Sequence, residues 1–144
     1  MNLFFCILFL VLTLVLIWNG NDRFSKKQWI TTGLMLVVVL AATVIVSFSF
    51  KWLAQSFSIF SIVMAKHYSV VFSMSFLCIW GLKVAVVLLC TIFSGIMKGH
   101  KTYNPEKYEQ VSSLSGIVAP GLLIIVKGLV SFGCVLIFSG LWLK

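Results

Sequence analysis

This sequence predicts an all-α integral membrane protein, a four-transmembrane-helix bundle with a short interfacial helix between helices 2 and 3. Three observations predict it. Of 144 residues, 61% are hydrophobic and 10% charged, where a soluble domain carries about 25% charged residues. Mean hydropathy is +1.14. Apolar runs long enough to cross about 30 Å of hydrocarbon alternate with short polar stretches. The polar surface is too small to cover a globule, so the chain reads as a single polytopic membrane domain over residues 1–144.

The first span covers about residues 3–18, from Leu3 to Trp18, and closes on Trp18-Asn19-Gly20-Asn21. It lacks the basic opening and the small-x-small site of a cleaved signal peptide, and therefore reads as a retained helix. The second, about 29–50, carries no charge and is bracketed by Trp29 and Trp52, as an interfacial aromatic belt would be.

The stretch at about 52–65 is apolar but too short to span. On a helix, Ala54, Ser58, Ser61 and Ala65 line one side and Leu53, Phe57, Phe60 and Met64 another. An interfacial helix is the favoured reading. A prolongation of helix 2 and a re-entrant segment are the alternatives.

The third span, about 69–97, exceeds the minimum length, so tilt or a protruding end is expected. A polar loop follows over 98–113, holding Lys98, His100, Lys101, Glu106, Lys107 and Glu109. Asn104-Pro105 is a turn signal, with Pro105 suited to the first turn of a short helix. The last span, about 114–143, carries Pro120 near its start.

Eleven lysines and arginines face three acids, Asp22, Glu106 and Glu109, for a net charge of +8. The basic residues lie mostly between apolar runs, where headgroups and the positive-inside bias account for them, so no nucleic-acid partner is expected. Arg23, Lys26, Lys27, Lys98, Lys101 and Lys107 fall in the first and third loops, against Lys51, Lys66 and Lys144 on the other side. Those six form the expected cytoplasmic basic loops. Both termini then face outward, and a bacterial inner membrane is the expected home.

No acid lies in any span. Proton-driven exporters depend on buried Asp or Glu, which argues against that class. Two lysines do lie in spans. Lys83 would stand about 20 Å along its helix from either end, too deep for easy snorkelling. Lys127 is near mid-span if the helix starts at Leu114, and nearer the cytoplasmic surface if membrane entry is at Pro120. Ser131, one turn on, could accept a hydrogen bond from it. Four outcomes satisfy such charges: a carboxylate on another subunit, a wet anion path, loss of the proton, or spans displaced by a turn or two.

Cys6, Cys78, Cys90 and Cys134 lie singly in apolar runs and read as packing residues. His67 and His100 fall on opposite sides, which argues against a bis-histidine haem site. The nearest catalytic pattern is Ser131 beside Lys127, without a supporting motif. No enzyme activity, cofactor or metal site is expected. Gly121, Gly128, Gly133 and Gly140 form a candidate helix-packing seam, serving either a partner or the bundle itself. The repeat of Ile92-Phe93-Ser94-Gly95 as Ile137-Phe138-Ser139-Gly140 reads as coincidence.

The expected function is non-enzymatic. The chain would be a small inner-membrane subunit of a homo- or hetero-oligomeric assembly, in a context such as toxin immunity, phage defence or secretion. Lys83, Lys127 and Ser131 would contact the partner, with lipid as the surrounding medium. The alternative is a small anion-permeable channel or transporter with the lysines lining its path.

Overall fold

The computed structural model describes residues 2–20, 24–57, 61–103 and 105–143; side chains are described for these except 57, 93–94, 97–101, 105–120 and 122. Four α-helices account for nearly all of them: α1 Asn2–Asn19, α2 Lys26–Phe57, α3 Ile62–Tyr103 and α4 Pro105–Trp142. No strand occurs among the described residues. Each helix contains a stretch long and apolar enough to cross a membrane.

Local chemistry starts these helices. At α2, the backbone N–H of Gln28 donates to Ser25 Oγ at 3.3 Å and the N–H of Ser25 donates to Gln28 Oε1 at 2.8 Å. This reciprocal pair satisfies amides that the first turn leaves without partners. Phe24 and Trp29 meet edge to face across the same turn, a hydrophobic staple. At α3, Ser61 Oγ accepts from the N–H of Met64 at 3.2 Å. Pro105 opens α4, where its missing N–H costs nothing.

Two sequence expectations change here. The stretch 52–65 is not a helix of its own: Trp52–Phe57 continue α2 and Ile62–Ala65 open α3, with 58–60 outside the described residues. Its apolar faces extend two antiparallel neighbours. The polar stretch 98–113 is helical rather than a loop. Residues 98–103 continue α3 and 105–113 begin α4, with 104 outside the described residues. Lysine and glutamate are good helix formers, so polarity alone does not end a helix.

Helix α3 is the hub. It packs against α1, α2 and α4, while α1 and α4 also meet each other. Among the described residues α2 touches α3 alone. Helices α1 and α3 run parallel: Tyr68 Oη donates to Asn2 Oδ1 at 3.0 Å, Phe5 meets Phe72, and Phe9 meets Phe76. Helix α4 runs against them, with Trp142 stacked on Phe5 and Phe9. The end holding the α1 N-terminus is called proximal below, and the end holding its C-terminus distal.

The proximal core gathers Cys6, Phe9, Val71, Cys134, Phe138 and Trp142. A smaller distal cluster joins Ile17, Val86 and Cys90. Polar atoms within the bundle are satisfied locally. Thr13 Oγ1 donates to Phe9 O at 2.7 Å, and Ser75 Oγ donates to Val71 O at 2.8 Å while accepting from Trp142 Nε1 at 3.0 Å. The hydroxyls of Ser47 and Ser49 donate to the carbonyls of Thr43 and Ile45. Serines of an apolar helix thereby satisfy their donors within the helix itself.

Candidate functional site

The residues of greatest chemical interest converge on the distal end of α1. A helix that stops leaves its last carbonyls without N–H partners and carries a partial negative charge there. Helix α1 stops at Asn19 and has no basic residue in its last turn. Its neighbours supply the missing cations. Lys127 is 5% exposed, and its Nζ donates to the carbonyl of Trp18 at 3.5 Å. The same Nζ lies 6.0 Å from the centre of the Trp18 ring.

Ser131, one turn further along α4, closes the arrangement. Its hydroxyl accepts from Trp18 Nε1 at 3.2 Å and donates to the carbonyl of Lys127 at 2.7 Å. Trp18, Ser131 and Lys127 form a ring of polar contacts that pins α1 to α4. Ser131 thus meets Lys127 through the backbone of the latter, where the sequence suggested its ammonium. A hydroxyl so engaged serves as a structural bridge.

Lys83 reaches the same place from α3. Its Nζ lies against Gly20, the residue after α1, and a Cβ there would overlap that nitrogen and the carbonyl oxygen of Leu16. Glycine at this position is a requirement of close approach. Among the described residues it is the only glycine whose added Cβ would meet a neighbour. Asp22, two residues on, lies outside the described residues.

Along their helices, Lys83 stands about 32 Å beyond Ile62, and Lys127 about 22 Å before Trp142. Within the apolar stretches Ile62–Ile92 and Leu123–Trp142, Lys83 is nearer Ile92 and Lys127 nearer Leu123, so both lie toward the distal end of those stretches. Lys26 and Lys27 start α2 at this end, exposed. Of the other basic-loop residues, Arg23 and the side chains of Lys98, Lys101 and Lys107 lie outside the description; the latter three belong to the backbones of α3 and α4.

The four glycines of α4 behave differently from Gly20. An added Cβ at Gly121, Gly128, Gly133 or Gly140 would meet nothing within 4 Å. They do not serve close packing within the bundle. Gly128 and Gly140 are exposed, among the equally exposed Ile125, Leu129, Phe132 and Leu136.

Among the described residues no group of three or more His, Cys, Asp or Glu could hold a metal ion. The cysteines are free thiols, and Cys6 Sγ donates to Phe138 O at 3.7 Å. No family model, curated protein or solved structure matches this chain.

Proposed function

We propose that the chain is an integral membrane protein whose four helices cross the bilayer, and that it works without catalysis as a subunit of a membrane assembly. Exposed Ile30, Leu34, Val38, Phe48, Leu129 and Phe132 would form apolar surface far larger than water tolerates. Closed helical backbones meet the demand that hydrocarbon makes on every N–H and C=O.

Helix length then sets depth. Helix α1 is about 27 Å long, close to the hydrocarbon thickness. Its distal end falls at one boundary, and the ammoniums of Lys83 and Lys127 gather there beside the start of α2. Lys51 lies about 36 Å further along α2 than Lys27, at the opposite boundary. On this placement the two lysines snorkel to the rim and complete the end of α1. They need no carboxylate from outside. A wet anion path lined by them gains no support, because Lys127 turns to the α1 terminus.

The observation that carries the assembly is the open space at Gly128 and Gly140. Twelve residues apart, they leave two separate notches on exposed surface of α4, about 18 Å apart along the axis and about 120° apart around it. Small residues let membrane helices approach closely, and dispersion between such surfaces drives association in lipid. A second copy, or another membrane protein, seats a helix at either notch. A bacterial inner membrane, with the distal end in the cytoplasm and both termini outside, fits the excess of basic residues in the segments 19–28 and 98–107.

Disulfide trapping in native membranes tests this. Cysteine at position 128 or 140, in a background with the four native thiols replaced, is expected to give dimers or a linked partner. Cysteine at Gly33, equally open but on α2, is the control. Equal yields at all three positions, together with a lone protomer mass for wild type in nanodiscs, would overturn the assembly.

A further inference from the structure

A second basic site lies at the proximal end, between α2 and α3. A cavity of about 280 Å³ is lined by Ser47, Lys51, Ala54, Gln55, Ala65 and Lys66, with Ile62 and Ser69 completing it. Ala54 and Ala65 are buried, whereas Lys51 and Lys66 are exposed. Ser69 Oγ donates to Ser47 Oγ at 2.8 Å, and Ser47 Oγ in turn donates to Thr43 O. That leaves a pit with an apolar floor and two ammoniums and an amide around it. The N-terminus of α3, starting at Ile62, adds the positive end of a helix dipole.

Charge is segregated along the bundle. Asp22 lies in the chain between α1 and α2, and Glu106 and Glu109 lie at the start of α4. None of the three acids belongs to the segments that line this cavity. Lys51 of α2 and Lys66 of α3 both line the cavity, and no acidic side chain is among its lining residues.

We propose that this cavity binds the phosphate of an anionic phospholipid from the leaflet on the proximal side. Lys51 and Lys66 hold the phosphate and Gln55 the neighbouring polar group. The volume suits a headgroup rather than a whole lipid. The acyl chains lie outside, along the exposed Val44, Phe48, Val70 and Met74 on either flank. Basic pockets between membrane helices recognise anionic headgroups through this chemistry. The inference rests on the bilayer placement above.

The test uses the full-length protein in nanodiscs of equimolar phosphatidylglycerol and phosphatidylcholine, released for native mass spectrometry. Wild type is expected to retain one phosphatidylglycerol over phosphatidylcholine by about tenfold. Lys51→Gln with Lys66→Gln should abolish the preference. The Arg pair, Lys51→Arg with Lys66→Arg, should keep it, as should Lys26→Gln with Lys27→Gln at the other end. Equal retention of both lipids by wild type, or an unaltered preference in the Gln pair, overturns the site. Displacement of the lipid by millimolar inorganic phosphate would show that the cavity takes a soluble anion, which also overturns the proposal. Failure of the protein to enter nanodiscs would refute the bilayer reading instead.

Discussion

The ammonium of Lys127 donates to the backbone carbonyl of Trp18 at 3.5 Å, while the Trp18 indole donates to Ser131, one turn along the lysine's own helix. A donor distance of 3.5 Å is long for a hydrogen bond, so the attraction is chiefly that of a charge for a helix end. Such an interaction contributes about 0.3–1 kcal/mol when exposed and up to about 2 kcal/mol when partly buried. Lys127 is on the buried side of that range. The same contact removes the puzzle of a cation in an apolar helix, since the end of α1 is a partial anion with no charge of its own to bury.

If the Trp18–Ser131–Lys127 ring acts as a unit, its members should be energetically coupled. Trp18→Phe and Ser131→Ala are each expected to destabilise the protein by about 1 kcal/mol. The double variant should lose less than the sum by about 0.5–1 kcal/mol. Unfolding in mixed micelles measures all three. Strict additivity would remove the ring as a structural unit.

Gly20 and Gly33 make a matched pair. Gly20→Ala places a methyl group on the Lys83 ammonium and is expected to destabilise by about 1–2 kcal/mol. Gly33→Ala enters open space in the interior of α2 and should stabilise by about 0.5–1 kcal/mol through helix propensity. Adding Lys83→Met to the Gly20 variant should recover part of the loss. Thermal unfolding with the three variants side by side decides it, and equal responses at the two glycines would refute the close approach.

Burial, rather than hydrophobicity, should set the cost of losing a phenylalanine. Phe138 is 0% exposed in the proximal core and stacks on Phe9. Phe48 is 70% exposed on α2. Phe138→Ala is expected to cost about 3 kcal/mol or more. Phe48→Ala should stay within about 0.5 kcal/mol, as for exposed sites generally. A comparable loss at both positions would mean that α2 is covered by more than lipid.

The start of α2 depends on Ser25 and Gln28. Ser25→Ala should cost about 1 kcal/mol and fray the first turn. Hydrogen exchange is the direct measurement: the amides of Lys27, Gln28 and Trp29 should exchange faster in the variant, and those of the α2 centre should not. Unchanged protection at Gln28 would show that its amide is held by something else.

Much of this fold is legible in the sequence because it is local. The charge-free run from Trp29 to Phe50 can be little other than a buried or lipid-facing helix, and the four apolar stretches follow from length and hydropathy. The reciprocal Ser25–Gln28 cap was also written in the chain, as Ser-x-x-Gln before an apolar run, although the Lys26-Lys27 pair makes that stretch look like loop. Helix ends were less legible. Polar residues 98–103 and 105–113 suit a solvated helix as well as a loop, and no proline or glycine lies between the end of α2 at Phe57 and the start of α3 at Ile62 to announce either.

What the sequence determined by itself is the class of the protein: helical, apolar over four stretches, and with basic residues grouped between them. Each depends on neighbours a few residues apart. What only the tertiary structure decided is where the two inner lysines go. Gly20, Trp18 and Ser131 lie 63, 109 and 4 positions from the lysines they meet, and the two long separations can be closed only by the register of α1 against α3 and α4. That register follows from aromatic packing at the opposite end, among Phe5, Phe9, Phe72 and Trp142. A cation's depth and partner are properties of how helices slide past one another, and no periodicity along a single helix encodes that.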